Sequence, residues 1–436
     1  MTPTAKPAPP VNDRDDVVAM MTAMSASLVA STYPAPQAES VLSKVAETYE
    51  TTMDVELLPT VVLTQAHHEG YPTMRKIRGS YRFDQMVAAQ SVIAQARLKK
   101  PPARDVTNAL NAVGTMKPRY PAWLRILGYA LSSFGFAACF QMDVAALAGA
   151  FVMGLIIGVL VFYSSKLSGL TALVPFLATL LTGLMVGVTA LISGSPDPVR
   201  LVAMPVVVLL PGAVLTSGLI ELVSGYMVSG TARLVYAVMI LGSMAFGFVL
   251  AVQMTGLSSS RLEDLTSHLT PLWVSWVGAV VFGIGTFLYF CTPLRLWLPS
   301  LVVMVVSYYI SMTSTSGMSA AIAAGIATFV GLLLSWVINA RIGGGPGAFV
   351  IFLPTFWLIV PGSAVFVVIT GGIELSSNLT VIASQAGLTF LAMAIGMMLA
   401  TAFYPLIAKI QTNVTWALRR SVEFFPTHLE PKRRKP

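Results

Sequence analysis

The chain has 436 residues, of which 55% are hydrophobic and only 11% are charged, against about 25% charged in an ordinary soluble domain. Such a composition excludes a wholly soluble protein. The formal net charge of +8 does not indicate nucleic acid, because the surplus sits in short flanks beside apolar segments, where it sets orientation in a membrane.

Charge divides the chain in two. Between residues 126 and 408 the cations are Lys166, Arg200, Arg233, Arg261, Arg295 and Arg341, and the acids are Asp143, Asp197, Glu221, Glu263, Asp264 and Glu374. Residues 1–14 are Pro-rich and expected to be disordered. No signal peptide is expected, since the apolar stretch after Asp15 and Asp16 follows acidic rather than basic residues. A small α+β cytoplasmic domain is expected over 15–122. Its first helix, 17–31, reads as amphipathic, with Val17, Met20, Met21, Met24 and Leu28 on one face and Asp15 or Asp16 as cap. A helix over 36–50 follows, then strands at 55–58, 60–65 and 71–78, then helices at 83–98 and 103–115. His67-His68-Glu69-Gly70 lacks the spacing of a metal-binding helix and reads as a turn.

From Trp123 the apolar runs reach the roughly 20 residues that a spanning helix needs. Ten are expected: 123–141, 144–163, 168–193, 200–224, 229–255, 271–290, 296–312, 317–339, 348–372 and 381–407. With the N-terminus in the cytoplasm, most loop cations fall inside and only Arg200 and Arg261 outside, which favours both ends inside and an even number of spans. A basic cytoplasmic tail occupies 409–436. Cys139 and Cys291 lie in apolar runs and read as buried hydrophobes.

A repeat relates 123–256 to 271–408. Leu210-Pro211-Gly212 and Val360-Pro361-Gly362 place a Pro-Gly 150 residues apart in the fourth span of each half. Ile220-Glu221-Leu222 and Ile373-Glu374-Leu375 follow them, and Cys139 and Cys291 match at an offset of 152. A five-span unit in tandem inserts in opposite orientations, so the fold expected is two five-helix inverted repeats, as in many secondary transporters. Proline breaks a helix, and in a bilayer the freed backbone groups need a protein or aqueous partner. The new half-helix N-terminus favours an anion. Glu221 and Glu374, carboxylates in or at the edge of apolar spans, are candidates for proton coupling. Thr216, Ser217, Ser363, Thr355 and Thr370 place hydroxyls near the breaks, although such hydroxyls commonly bond back to their own helix. Gly154-x-x-x-Gly158 and Gly183-x-x-x-Gly187 suit close helix packing. No phosphate-binding loop, nucleophile elbow or zinc signature is present, and Gly343-Gly344-Gly345-Pro346-Gly347 reads as a loop.

These residues carry a resemblance. Leu210-Pro211-Gly212-Ala213-Val214-Leu215-Thr216, then Glu221-Leu222-x-Ser224-Gly225 and Ser229-Gly230-x-Ala232-Arg233, is similar to the first-half signature of the threonine/serine exporter family. Leu353-Pro354-Thr355 with Val360-Pro361-Gly362 resembles the second-half signature, and Tyr120-Pro121-x-Trp123 fits the start of the first span. Glu221 stands where the family usually has Asp, and Ser31-Thr32-Tyr33-Pro34 where it often has a Gly-containing stretch. The resemblance implies proton-driven export of threonine, serine or similar small neutral amino acids across a bacterial cytoplasmic membrane, and no enzymatic activity. Substrate contacts are expected from Leu210, Pro211, Gly212, Thr216, Thr355, Pro361, Gly362 and Ser363, with the ammonium at Glu221 or at the carbonyls of Leu209 and Leu210. Arg233 reads as a topology anchor in preference to a partner for Glu221. The partners expected are the amino acid, protons and the lipid bilayer, with a homo-oligomer left open and no nucleic acid, metal or cofactor. A passive channel, a membrane enzyme and a membrane scaffold are the alternatives.

Overall fold

The computed structural model describes residues 11–66, 71–77, 79–164, 169, 171–193, 198–256, 270–312, 318–342, 347–359 and 379–412. The His67–Gly70 turn and Pro361, Gly362, Ser363, Thr370 and Glu374 lie outside these residues.

The N-terminal region runs α1 (Val11–Ala30), α2 (Ala35–Thr48), β1 (Met53–Leu57), β2 (Val61–Ala66), β3 (Thr73–Lys76), α3 (Phe83–Lys99) and α4 (Ala103–Gly114). The strands form one antiparallel sheet in sequence order, with Val55 opposite Thr64 and Leu63 opposite Met74. Helix α3 stops at Lys100, which is left-handed at φ 46°, ahead of Pro101 and Pro102. Helix α1 starts earlier than expected, inside the stretch taken as disordered, so Asp15 and Asp16 are helical residues rather than caps. Nor is it amphipathic: residues 20–31 are buried on every side. Its polar positions tolerate this because Ser25, Ser27 and Ser31 donate to the carbonyls of Met21, Ala23 and Ser27, each at 2.8 Å, and Thr22 meets the hydroxyl of Thr64 on β2.

The apolar part continues α5 (Ala122–Cys139), α6 (Val144–Ser164), α7 (Val174–Ser193), α8 (Pro198–Val206), α9 (Gly212–Val223), α10 (Met227–Thr255), α11 (Leu272–Tyr289), α12 (Trp297–Met312), α13 (Ala320–Ile342), α14 (Ala348–Ile359) and α15 (Leu379–Thr412). Seven described helices are long and apolar enough to cross a membrane, or eight when the bent pair α8–α9 counts as one span. This is a multi-pass α-helical membrane protein. Helix α14, the described part of the span expected over 348–372, has 12 residues; at about 1.5 Å per residue it is too short to cross a core of about 30 Å by itself.

Helices α5 and α11 begin and end 150 residues apart, after Pro121 and Pro271, and each closes on a Phe followed by a left-handed residue: Phe140 then Gln141 (φ 55°), Phe290 then Cys291 (φ 60°). The conformational match therefore pairs Cys291 with Gln141, not with Cys139. The offset of 150 between α5 and α11 equals that of the Pro-Gly pair in the sequence and differs from the 152 of the two cysteines.

The two helices pack antiparallel at the centre. A Cβ at Gly128 would lie 2.7 Å from the Gly285 carbonyl oxygen, and one at Gly135 would lie 2.7 Å from that of Gly278. The contacts are reciprocal at an offset of 150: Gly278 stands 150 residues after Gly128, and Gly285 after Gly135. Gly154 and Gly158 seat α6 on Ser133, Ala130 and Tyr129 of α5, and Gly183 and Gly187 seat α7 on Ala251 and Thr255 of α10, so both Gly-x-x-x-Gly pairs do pack helices closely.

Candidate functional site

The α8–α9 span is broken where the sequence places its first Pro-Gly. Helix α8, with Pro205 inside it, gives way to a 3-10 turn over Val207–Leu209. Leu210 is extended (φ −61°, ψ 129°) and Pro211 caps α9, which leaves at 54° to the preceding segment. Neither proline can donate, so the regular ladder lapses across two turns. The Tyr129 hydroxyl, fully buried on α5, donates to the freed Pro205 carbonyl at 2.7 Å. Leu210, Pro211 and Gly212 are all buried, so the irregular backbone is sheltered by protein, as a low-dielectric surround requires. Thr216 is also buried, and its hydroxyl donates to the Gly212 carbonyl at 3.1 Å, bonding back to its own helix.

Ten residues past the break, Glu221 is 0% exposed and its carboxylate accepts from three donors. Arg233 Nε reaches Oε2 at 2.9 Å and Oε1 at 3.1 Å, and Ser229 Oγ donates to Oε2 at 2.7 Å. The Ala35 backbone N–H, at the start of α2, donates to Oε1 at 3.1 Å. The reading of Arg233 as a topology anchor is thus corrected. Its head group is buried against Glu221, because a charge in this interior requires an opposite charge and good hydrogen bonds. The signal was present in the sequence: Ser229 and Arg233 stand four apart on α10 and share a face turned back on α9. Nothing in the sequence marked Tyr129 or the Ala35 N–H.

Glu221 therefore ties the N-terminal region to the bundle, and other bonds converge on the same end. The Tyr226 hydroxyl donates to Glu39, and Gln37 Nε2 donates to Thr401 Oγ1 of α15 at 3.1 Å. The Phe83 N–H donates to the Phe290 carbonyl at 3.0 Å, and Phe83 stacks on Phe290 (4.9 Å between centroids), which stacks on Trp357 of α14 (4.9 Å). Tyr33 packs on Phe349 at the other end of α14, 5.6 Å between centroids. Every residue of α14 is buried. Its Thr355 is 0% exposed with a hydroxyl that has no hydrogen-bond partner among the described residues. Of the expected site residues, the structure brings Leu210, Pro211, Gly212 and Thr216 together at the first break, places Glu221 in the clamp beyond it, and sets Thr355 on α14. Pro361, Gly362, Ser363 and Glu374 fall outside the described residues.

Residues 19–255, from within α1 to the end of α10, match the model of the family described as "Putative threonine/serine exporter". The match contains both the break and the Glu221 clamp. Pheromone-regulated membrane protein 10 of Candida albicans, in strains WO-1 and SC5314, is 29% identical over 156 residues, which cover 35% of this chain and 14% of that protein. The similarity thus extends over a small part of the fungal protein's length. No solved structure matches the chain.

Proposed function

The chain belongs to the threonine/serine exporter family, and from that premise we propose that it is a secondary transporter exporting threonine, serine or similar small neutral amino acids, driven by the proton motive force. The observation that carries this reading is the buried break at Leu210-Pro211-Gly212, with its 54° bend inside a span. A broken span at membrane depth lines a substrate path in many transporters. The N–H groups at the start of α9 suit the substrate carboxylate, and the carbonyls of Leu209 and Leu210 suit its ammonium. The sequence match of Pro361, Gly362 and Ser363 to the first Pro-Gly makes them, with Thr355, the candidates for the remaining substrate contacts.

The proposal includes ten spans in two inverted repeats. The 150-residue offset of α5 and α11, their antiparallel packing and the reciprocal glycine contacts support it. The N-terminal region is then a cytoplasmic domain seated on the inner end of the bundle, in a bacterial cytoplasmic membrane with both termini inside. Glu221 is the coupling group of this scheme, with Glu374 as the second candidate.

In inside-out vesicles, labelled threonine is expected to accumulate above its external concentration when a proton gradient is imposed, and Glu221→Gln is expected to abolish that gradient dependence. Equilibration without accumulation would identify a passive channel. Accumulation by Glu221→Gln at the wild-type level would remove Glu221 from the coupling.

A further inference from the structure

Most buried hydroxyls in the described apolar helices have a hydrogen-bond partner. Ser132, Thr179, Thr182, Thr286, Thr328 and Ser335 each donate to the carbonyl four residues back in their own helix. Ser300 and Ser307 of α12 and Thr355 of α14 do not. All three are 0% exposed and their hydroxyl oxygens have no hydrogen-bond partner among the described residues. A buried polar group is nearly always paired, and leaving one unpaired costs the desolvation of that group with nothing in return. Three such groups in adjoining helices need a reason.

Their placement gives one. Ser300 and Ser307 are seven residues apart, two helical turns, and so share one face of α12. Helices α12, α13 and α14 pack on one another. At Gly331 of α13 the Ser307 hydroxyl and the Phe352 ring of α14 come together, a Cβ there lying 3.0 Å from the ring and against the hydroxyl. Thr355 lies one turn further along α14 than Phe352, and six residues before Pro361 in the sequence. Thr355 therefore lies on the helix that precedes the second Pro-Gly in the sequence, with Ser300 and Ser307 on the adjoining α12, whereas the hydroxyl of Thr216 at the first break is already engaged.

We propose that Ser300, Ser307 and Thr355 form a binding site for a small neutral zwitterion, whose polar groups supply the hydrogen bonds these hydroxyls lack. A hydroxyl both donates and accepts, so the set can serve a carboxylate, an ammonium or a side-chain hydroxyl without burying a net charge. The inference rests on the transport reading for the identity of the solute, and it adds Ser300 and Ser307 to the residues that recognise it.

The test uses the full-length protein in proteoliposomes, with labelled threonine as the probe, and Ser300→Ala, Ser307→Ala and the double variant. Each single change is expected to raise KM about tenfold, the worth of one or two hydrogen bonds, with Vmax held within about twofold. The thermal midpoint of the empty protein is expected to stay level or rise, because an unpaired hydroxyl has been removed. Millimolar threonine is expected to raise the midpoint of the wild type and not that of the double variant. A wild-type KM and a wild-type threonine shift in the double variant would overturn the site. Wild-type protein without flux, but with a threonine shift that the double variant loses, would overturn the transport reading and uphold the site. Absence of both flux and shift in the wild type would overturn both.

Discussion

Arg233→Met, in a chain that keeps Glu221, is expected to be among the most damaging single substitutions in the protein. Glu221 is 0% exposed and its carboxylate is held by the guanidinium at 2.9 Å. Removing one member of a buried ion pair leaves the other charge without compensation, at a cost of about 3–5 kcal/mol. Two neutral donors, Ser229 Oγ and the Ala35 N–H, remain but do not replace a charge. The double variant Arg233→Met with Glu221→Gln is expected to recover most of the loss, since neither residue is then charged and Gln keeps an acceptor for Ala35. Thermal unfolding in detergent, followed by tryptophan fluorescence, reads both. A midpoint for Arg233→Met no lower than that of a change at the exposed Arg341 would show that the pair carries no such strain.

Gly135→Leu is expected to prevent the bundle from assembling. A Cβ at this position would clash with the Phe282 backbone nitrogen and lie 2.7 Å from the Gly278 carbonyl oxygen. Backbone cannot yield as a flexible side chain can, so α5 and α11 must move apart along their shared length, and overpacking of this kind is strongly destabilising. Gly242→Leu is the control, since no described residue lies within 4 Å of a Cβ there. Monodisperse protein recovered after extraction is expected to fall about tenfold or more for Gly135→Leu and to hold for Gly242→Leu. Equal recovery of the two would contradict the close glycine packing of α5 on α11.

Local pattern made much of this architecture legible. The alternating strands, the helices at 83–98 and 103–115, and the apolar runs up to 339 fall within a few residues of the observed elements, because periodicity and capping are written in neighbouring residues. The Pro211 break was legible for the same reason. The amphipathic reading of α1 failed because Ser25, Ser27 and Ser31 bond their own helix, which allows burial all round. The Glu221 clamp needed a contact across 186 residues, from the Ala35 N–H, that no local pattern encodes. The spacing of Gly128, Gly135, Gly278 and Gly285 was visible in the sequence, but its meaning lies in the antiparallel meeting of two helices, which only the fold supplies.

A docked N-terminal region changes how the break is understood. The bonds of Glu221, Gln37, Tyr33 and Phe83 all join that region to helices at one end of the bundle, so the path proposed past Pro211 ends beneath it. The transport proposed for this protein would require those contacts to open and close in each cycle.

Counterflow in proteoliposomes loaded with unlabelled threonine tests the central claim most directly. The account predicts transient uptake of labelled threonine and serine well above equilibrium, little for large or charged amino acids, and loss of the overshoot when Pro211 and Gly212 are replaced in protein that still folds. An absence of selective exchange by folded wild-type protein would contradict it.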